Sequence, residues 1–158
     1  LPVKIIRPFN IYGPRQSERA IIPTIINQTL SLTKNITLGN IKPTRDFNFV
    51  FDTIEAFVKV MKSKKTVGQI VNVGSNKKIS VSKLCHEIFK LTNKRKKIVI
   101  TEARKRPKSS EVDNLQCSFK KIKKLTFWMP KTELREGLKK TIDWFKQNKI
   151  SNSNNYII

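Results

Sequence analysis

The segment VKIIRPFNIYGPR, residues 3–15, constrains everything that follows it. Residues 2–6 are short, largely apolar and β-branched, the pattern of an interior strand of a parallel sheet with both faces covered. The segment runs straight into Arg7, Pro8, Phe9 and Asn10, and Tyr12-Gly13-Pro14 then breaks it. A strand of that kind needs neighbours and covering layers. The later strand-like segments are few and short for the helices that must pack on them. Residue 1 is also Leu rather than Met. Together these features predict that the rest of the sheet belongs to a preceding segment, and that this chain is one part of a longer protein.

Downstream, extended and helical patterns alternate. The spacing of Ile21, Ile22, Ile25, Ile26 and Leu30 predicts a helix over residues 17–32, starting irregularly near Ala20 because of Pro23. Residues 36–38 and 45–50 read as extended. Asp52-Thr-Ile-Glu55 has the form of a capping box, opening a helix that carries Ile54, Phe57, Val58 and Met61. Residues 70–73 form a strand closed by Gly74-Ser75-Asn76. Ser80 caps a helix with Val81, Leu84, Cys85, Ile88 and Leu91 on one face. Residues 98–100 are strand-like and residues 118–125 a short basic helix. Thr132 is expected to cap a last helix, to about Asn148, that packs Leu134, Leu138, Ile142 and Phe145. Residues 151–158 read as a disordered tail. The fold class is α/β, without internal repeats.

The formal net charge is +22, from 33 Lys and Arg against 11 Asp and Glu. Such a balance ordinarily points to a polyanion. The texture points elsewhere, because only eight of the 33 are Arg and the Lys residues are spread through a chain rich in Ile and Asn. Most of them read as solvated faces. The different-class alternative, a basic module that binds nucleotides or nucleic acid without catalysis, requires aromatics interleaved with the basic residues on an exposed face. Phe47, Phe49, Phe57, Trp144 and Phe145 fall instead at expected core positions. Cys85 and Cys117 make neither a disulfide framework nor a metal spacing, and His86 stands alone. The chain carries no signal peptide and no apolar run long enough to span a bilayer, and a reducing cytoplasmic compartment is the expectation.

Four places carry chemistry. In an open α/β sheet, ligands bind beyond the carboxyl ends of strands. Arg7–Arg15 lies there: Pro8 and Phe9 can wall a flat ring, and Asn10 can donate and accept. The same Asn is equally at home in a strand-ending turn, bonded to its own backbone. Arg45, between a Pro43-Thr44 turn and an apolar strand, offers a fork to phosphate, or else a surface pair with Asp46. The segment EARKRPKSSEV, residues 102–112, gathers Arg104, Arg106 and Glu111 after a strand: two Arg suit a diphosphate, and a carboxylate suits ribose hydroxyls. Ala20-Ile21-Ile22-Pro23 is an apolar rim fit for a planar base.

Read in order, RPFN-x-YGPR, RAIIP, LGN…PTRDF-x-FV-x-DT, NVGS, RP-x-x-SEV, W-x-P and EGL-x-x-T-x-x-WF resemble the C-terminal half of the extended short-chain dehydrogenase/reductases, the NAD-dependent nucleotide-sugar epimerases and 4,6-dehydratases. The resemblance covers residues 1 to about 147. Its closest flavour is a GDP-N-acetylglucosamine 4,6-dehydratase, with UDP-sugar 4-epimerases next. It implies the last strands of a Rossmann-type parallel sheet plus a small α/β substrate-binding region over residues 1–150. It implies that Pro8 and Phe9 edge the nicotinamide of NAD, a cofactor held mainly by the N-terminal half. It implies that Asn10 holds the diphosphate or sugar of a GDP- or UDP-linked substrate. Ala20 and Ile21 then contact the nucleotide, Thr37, Leu38 and Gly39 flank its base, Arg45 and Arg106 grip the diphosphate, and Glu111 takes the ribose.

The family's Tyr-x-x-x-Lys pair belongs to the other half. Tyr12 is followed four residues on by Gln16, and Tyr156 lies in the tail. The resemblance therefore implies that this part binds and orients substrate, with no catalytic residue of its own, and that alone it is inactive. A homodimer would be made through helices of the other half. One departure stands out: Phe127 precedes Trp128 where the family carries Gly, so distortion of that loop is the expectation.

Overall fold

The computed structural model describes residues 1–104 and 112–148; the predicted tail and the predicted contacts Arg106 and Glu111 lie outside the described residues. Among the described residues seven strands and five α-helices follow in the order β1 (Ile5–Pro8), β2 (Asn10–Tyr12), α1 (Ile21–Leu30), β3 (Asn35–Leu38), β4 (Thr44–Phe49), α2 (Val50–Lys62), β5 (Ile70–Val73), β6 (Lys78–Ser80), α3 (Val81–Thr92), β7 (Lys97–Ile100), α4 (Lys120–Thr126) and α5 (Leu134–Gln147). They form three small sheets. β1 pairs with β5 in parallel, Ile5 opposite Ile70. β2 pairs with β4 in parallel, Asn10 opposite Phe47, and β6 adds antiparallel to the start of β4. β3 pairs with β7 in parallel.

Two cores result. The larger buries Tyr12, Ile22, Ile25, Ile26, Phe47, Phe49, Leu84, Ile88, Leu138 and Phe145 among α1, α3, α5 and the strands β2, β3 and β4. The smaller packs Ala56 and Val60 of α2, Ile122 of α4 and Trp128 against Val71 and Val73 of β5. The chain passes from one to the other at Phe9, the single residue between β1 and β2. β1 and β5 lie with the smaller core, and β2, β3 and β4 with the larger. Close packing joins α5 to β2 and β4 at Gly137, where a Cβ would lie 2.1 Å from the Tyr12 Oη and 2.9 Å from Phe49 Cδ2. The Gly of the EGL motif is the residue that lets helix and strands meet.

Several boundaries depart from expectation for identifiable reasons. The first strand is Ile5–Pro8, not residues 2–6, and it pairs on one edge only. Its residues are largely exposed rather than buried on both faces. α1 begins at Ile21, so Pro23 sits in its first turn, where the missing N–H leaves no helical bond unmade. Asp52 does not cap α2. The helix starts at Val50, and the Asp52 carboxylate accepts from the Lys131 and Thr132 amides (3.1 and 2.9 Å) and from the Thr132 hydroxyl. That also removes Thr132 as a cap, and Glu133 takes the position before α5. Glu55 instead pairs with Lys131 and Lys59, and the Lys131 hydrogen bond leads in lowering its pKa. The Ser80 cap is as predicted, its hydroxyl accepting from the Lys83 amide at 3.2 Å. Phe57 was expected in the core and is exposed, together with Ile54, Val58 and Met61.

Phe127 adopts φ +57, the left-handed conformation its sequence position foretold, at the C-cap of α4. The loop is nonetheless closed normally, with the Phe127 amide 2.8 Å from the Lys123 carbonyl. The side chain is 81% exposed, so it contributes little packing in return for the strain. Phe127→Gly is expected to raise stability by about 0.5–1 kcal/mol, the relief of a left-handed residue less the added chain entropy of Gly. A urea midpoint that falls would show that the Phe ring has packing the exposure does not reveal.

Both cysteines are free and buried, and burial pushes each thiol up to about 12. Native protein should therefore resist alkylation at pH 8 and react only at the rate at which it opens. The folded values lie above the ordinary thiol value of 9.0. Their contribution is thus complete below pH 9 and is lost as pH climbs towards 12, so stability should decline over that alkaline window. Rapid labelling in the folded state would contradict it.

Candidate functional site

Asn10 and Arg45 lie on the neighbouring paired strands β2 and β4. Asn10 begins β2, two residues past the carboxyl end of β1, opposite Phe47 in the β2–β4 ladder. It is not a self-bonded turn residue: its amide Nδ2 donates to the Asp46 carbonyl at 2.9 Å. Arg45 is the preceding residue on β4, opposite Ile79 of β6. Its guanidinium donates to the Thr44 carbonyl at 3.0 Å and to the Val112 carbonyl. The segment from Val112 is strapped along β4: the Thr44 amide donates to the Asp113 carbonyl, the Leu115 amide to the Thr44 carbonyl, and the Thr44 hydroxyl to the Asn114 side chain. Asn10 is thus bonded to β4 and Arg45 is part of it, and residues 112–115 run beside the start of that strand.

Asp46 is the hub. It is fully buried, and it is not the surface partner of Arg45 that the sequence allowed. One carboxylate oxygen accepts from the Ser75 amide (2.8 Å) and hydroxyl (2.6 Å), and the other accepts from the Cys117 amide (2.9 Å). Ser75 is the Ser of NVGS. Gly74 before it lies so close that a Cβ would fall 2.4 Å from Cys117 Cβ. The PTRDF, NVGS and post-RP segments thus meet at one carboxylate. No site role falls on Asp46 from the sequence, although a charged residue between Arg45 and a run of core aromatics is a legible sign of a buried polar node.

The second set lies at the start of α1 and at the end of β3. Ala20 is the N-cap of α1 in extended conformation, and half-buried Ile21 opens the helix against the larger core. From the same helix the Gln28 amide clamps Thr37, accepting from its N–H at 2.6 Å and donating to its carbonyl at 3.1 Å. Arg104 donates to that carbonyl at 3.0 Å. Gln28 is a residue the sequence reading missed. The Leu38 side chain is buried in the core and its carbonyl accepts from Thr101, so Gly39 and the Thr37 side chain remain as the accessible part of this segment. Pro8 is exposed and Phe9 half-buried at the end of β1, its amide bonded to the Val73 carbonyl at 2.8 Å. A cleft of about 430 Å³ beside Phe47 and Ser75 is lined by Lys77, Lys131 and Met129, and by none of the predicted contacts.

Tyr12 has no place in proton transfer. It is buried, its hydroxyl donates to the Leu134 carbonyl at 3.3 Å, and burial first, then the Asp52 charge, raise its pKa far above the usual phenol value. Among the described residues no cluster of His, Cys, Asp or Glu is disposed to hold a metal, and no helix is long and apolar enough to cross a membrane.

The sequence model of GDP-mannose 4,6 dehydratase matches residues 1–141. The chain belongs to that family. A UDP-N-acetyl-alpha-D-glucosaminuronate decarboxylase of Bacillus cytotoxicus is 35% identical over 152 residues, covering 93% of this chain and 47% of the relative. A human dTDP-D-glucose 4,6-dehydratase is 34% identical, covering 93% of this chain and 42% of the relative. The crystal structure of UDP-glucuronic acid 4-epimerase from Bacillus cereus, in complex with UDP-glucuronic acid and NAD, superposes with a TM-score of 0.82 at 27% identity, over 93% of this chain and 46% of that one. The chain thus spans less than half the length of these relatives, and its fold is that of part of a Rossmann-type epimerase or dehydratase, as the motifs implied.

Proposed function

We propose that the chain is the nucleotide-sugar-binding portion of an NAD-dependent nucleotide-sugar 4,6-dehydratase, working in the cytoplasm with an N-terminal half that supplies the dinucleotide loop and the proton-transfer pair. The observation that supports this reading is the placement of Asn10 just beyond the carboxyl end of β1, hydrogen-bonded to β4 at the residue after Arg45. Dehydration across C5–C6, inversion at C4 and loss of carboxylate from a uronate are three reactions that can share one opening, oxidation at C4. NAD supplies the hydride acceptor for that step. Pro8 and Phe9 fit one edge of its nicotinamide ring, while nothing among the described residues resembles a phosphate loop for the remainder.

This chain's residues bind and orient. Arg45, with Arg106, neutralises the diphosphate; Asn10 bonds a phosphate or sugar oxygen; the Ala20–Ile21 rim and the Thr37–Gly39 segment hold the base; Glu111 takes the ribose hydroxyls. Holding the nucleotide rigidly lets its binding energy orient the sugar ring for reaction. The +22 charge raises the encounter rate with a dianionic substrate.

Calorimetric titration of the chain with GDP-N-acetylglucosamine, UDP-N-acetylglucosamine and NAD tests the reading. One nucleotide sugar should bind, NAD alone should give no heat, and Arg45→Ala or Arg106→Ala should weaken binding about 10- to 100-fold, the worth of a charge-assisted phosphate contact. Equal affinity in Arg45→Ala would remove Arg45 from the site. Steeply salt-dependent binding of oligonucleotides, without selectivity for a nucleotide sugar, would replace the reading with the basic-module alternative.

A further inference from the structure

Two lysine runs far apart in sequence are packed side by side. The first ends α2: Lys62, then Lys64 and Lys65 in the 3-10 turn Lys64–Thr66. The second is α4, where Lys120, Lys121, Lys123 and Lys124 fan at helical spacing over the side opposite Ile122. Ile122 is fully buried and pins the helix to the smaller core, and the lysines of both runs are exposed. The Ser63 hydroxyl donates to the Leu125 carbonyl at 3.2 Å and ties one run to the other. No Asp or Glu occurs between Glu55 and Glu87, nor between Asp113 and Glu133, so both runs come from stretches without a carboxylate. Lys59 and Lys131 pair with Glu55 and Lys77 with Glu133, whereas no lysine of the two runs pairs with a carboxylate among the described residues. Phe127 stands at the end of α4, 81% exposed and in a left-handed conformation that costs a Phe stability. A strained residue that packs on little of its own chain points to a contact made elsewhere. Met61 and Val67, 65 and 41% exposed, flank the first run.

We propose that α4 and the Lys62–Lys65 segment bind the surface of an anionic lipid bilayer, the lysines lying among the headgroups and Phe127 reaching between them to the acyl boundary. A hydrated ammonium on a long flexible stem suits a field of mobile headgroup charges, and neither run offers an Arg fork for a bidentate phosphate contact. The lysine stems can lie along Phe127 and Met61 while their ammonium groups stay in water. A nucleic-acid strand would further require aromatic faces interleaved along the lysines, and Phe127 stands instead at their end. The surface also stays open when the sheet is extended. α4 packs on β5, and the edge of β1 that is unpaired among the described residues lies on the far side of β1 from β5. The inference stands independently of the nucleotide-sugar site.

Cosedimentation of the chain with vesicles of phosphatidylcholine, alone or mixed with phosphatidylserine, tests this. Binding is expected to the mixed vesicles and not to phosphatidylcholine alone, and it should weaken as salt is raised. The double variant Lys121→Gln, Lys124→Gln should partition about 10- to 30-fold less, the worth of two lysines at an anionic surface. The double variant Lys139→Gln, Lys146→Gln removes the same charge from α5 and should lose less than about twofold, because those side chains stay beyond the screening length. Phe127→Gly should weaken vesicle binding and leave binding to heparin unchanged, since only a bilayer offers an acyl boundary. All of these side chains are exposed, so melting temperatures no lower than the parent's separate loss of docking from loss of folding. No binding to the mixed vesicles would overturn the inference, as would equal losses in the two double variants, which would make the effect one of net charge. Unchanged vesicle binding in Phe127→Gly would overturn the part assigned to Phe127. An oligonucleotide that binds and is released by Lys121→Gln, Lys124→Gln, with vesicles left unbound, would assign the surface to nucleic acid instead.

Discussion

Asp46→Ala is expected to destabilise the fold by about 3–5 kcal/mol, a large part of the 5–15 kcal/mol that holds a typical domain together. The side chain is fully buried and accepts three hydrogen bonds, from the Ser75 amide, the Ser75 hydroxyl and the Cys117 amide. Truncation leaves two amide donors without partners in a water-poor setting, and that is where most of the cost arises. Asp46→Asn should fall between the two, because one side of the amide can still accept while the other presents a donor to a donor. Urea midpoints by far-UV circular dichroism read the effect. A loss below about 1 kcal/mol in Asp46→Ala would mean that water or a neighbouring side chain takes over the Ser75 and Cys117 amides. Loss of nucleotide-sugar affinity should accompany destabilisation, since Asn10 and Arg45 are held through the same stretch of β4.

Trp128→Ala is expected to cost about 3–5 kcal/mol, in the range of large-to-small aromatic truncations. Trp128 is fully buried and is the largest member of the smaller core, beside Ala56, Val60, Val71, Val73 and Ile122. Its indole Nε1 donates to the Asp52 carbonyl at 3.0 Å, and its ring meets Phe119 edge to face at 6.2 Å. That core has few other members, so it cannot collapse far into the space left behind. Trp128→Phe should cost distinctly less, retaining ring volume while losing the hydrogen bond. Because the smaller core carries β1 and β5, the alanine variant should loosen β5 amides in hydrogen exchange before those of α1 and α3. Uniform loosening of both cores would show that they unfold as one unit.

The sequence by itself determined the elements whose signals are local. Val71 and Val73 between turn residues make a strand and Ser80 caps its helix, because each depends on a few neighbouring residues; the left-handed position of Phe127 was legible only through the resemblance, which places Gly there. Motif order was equally legible, since the seven segments carry their family spacing along the chain. What the tertiary structure decided is where long-range partners compete with local ones. Asp52 resembles a cap in sequence, yet the Lys131 and Thr132 amides claim its carboxylate from across the fold. Asp46 reads as a surface partner for Arg45, yet it is buried between Ser75 and Cys117. Gln28 gives no local sign that it will clamp Thr37. The outward stripe of α2 is the clearest case: periodicity reports which face of a helix is apolar, and only the packed structure shows that among the described residues this face stays exposed.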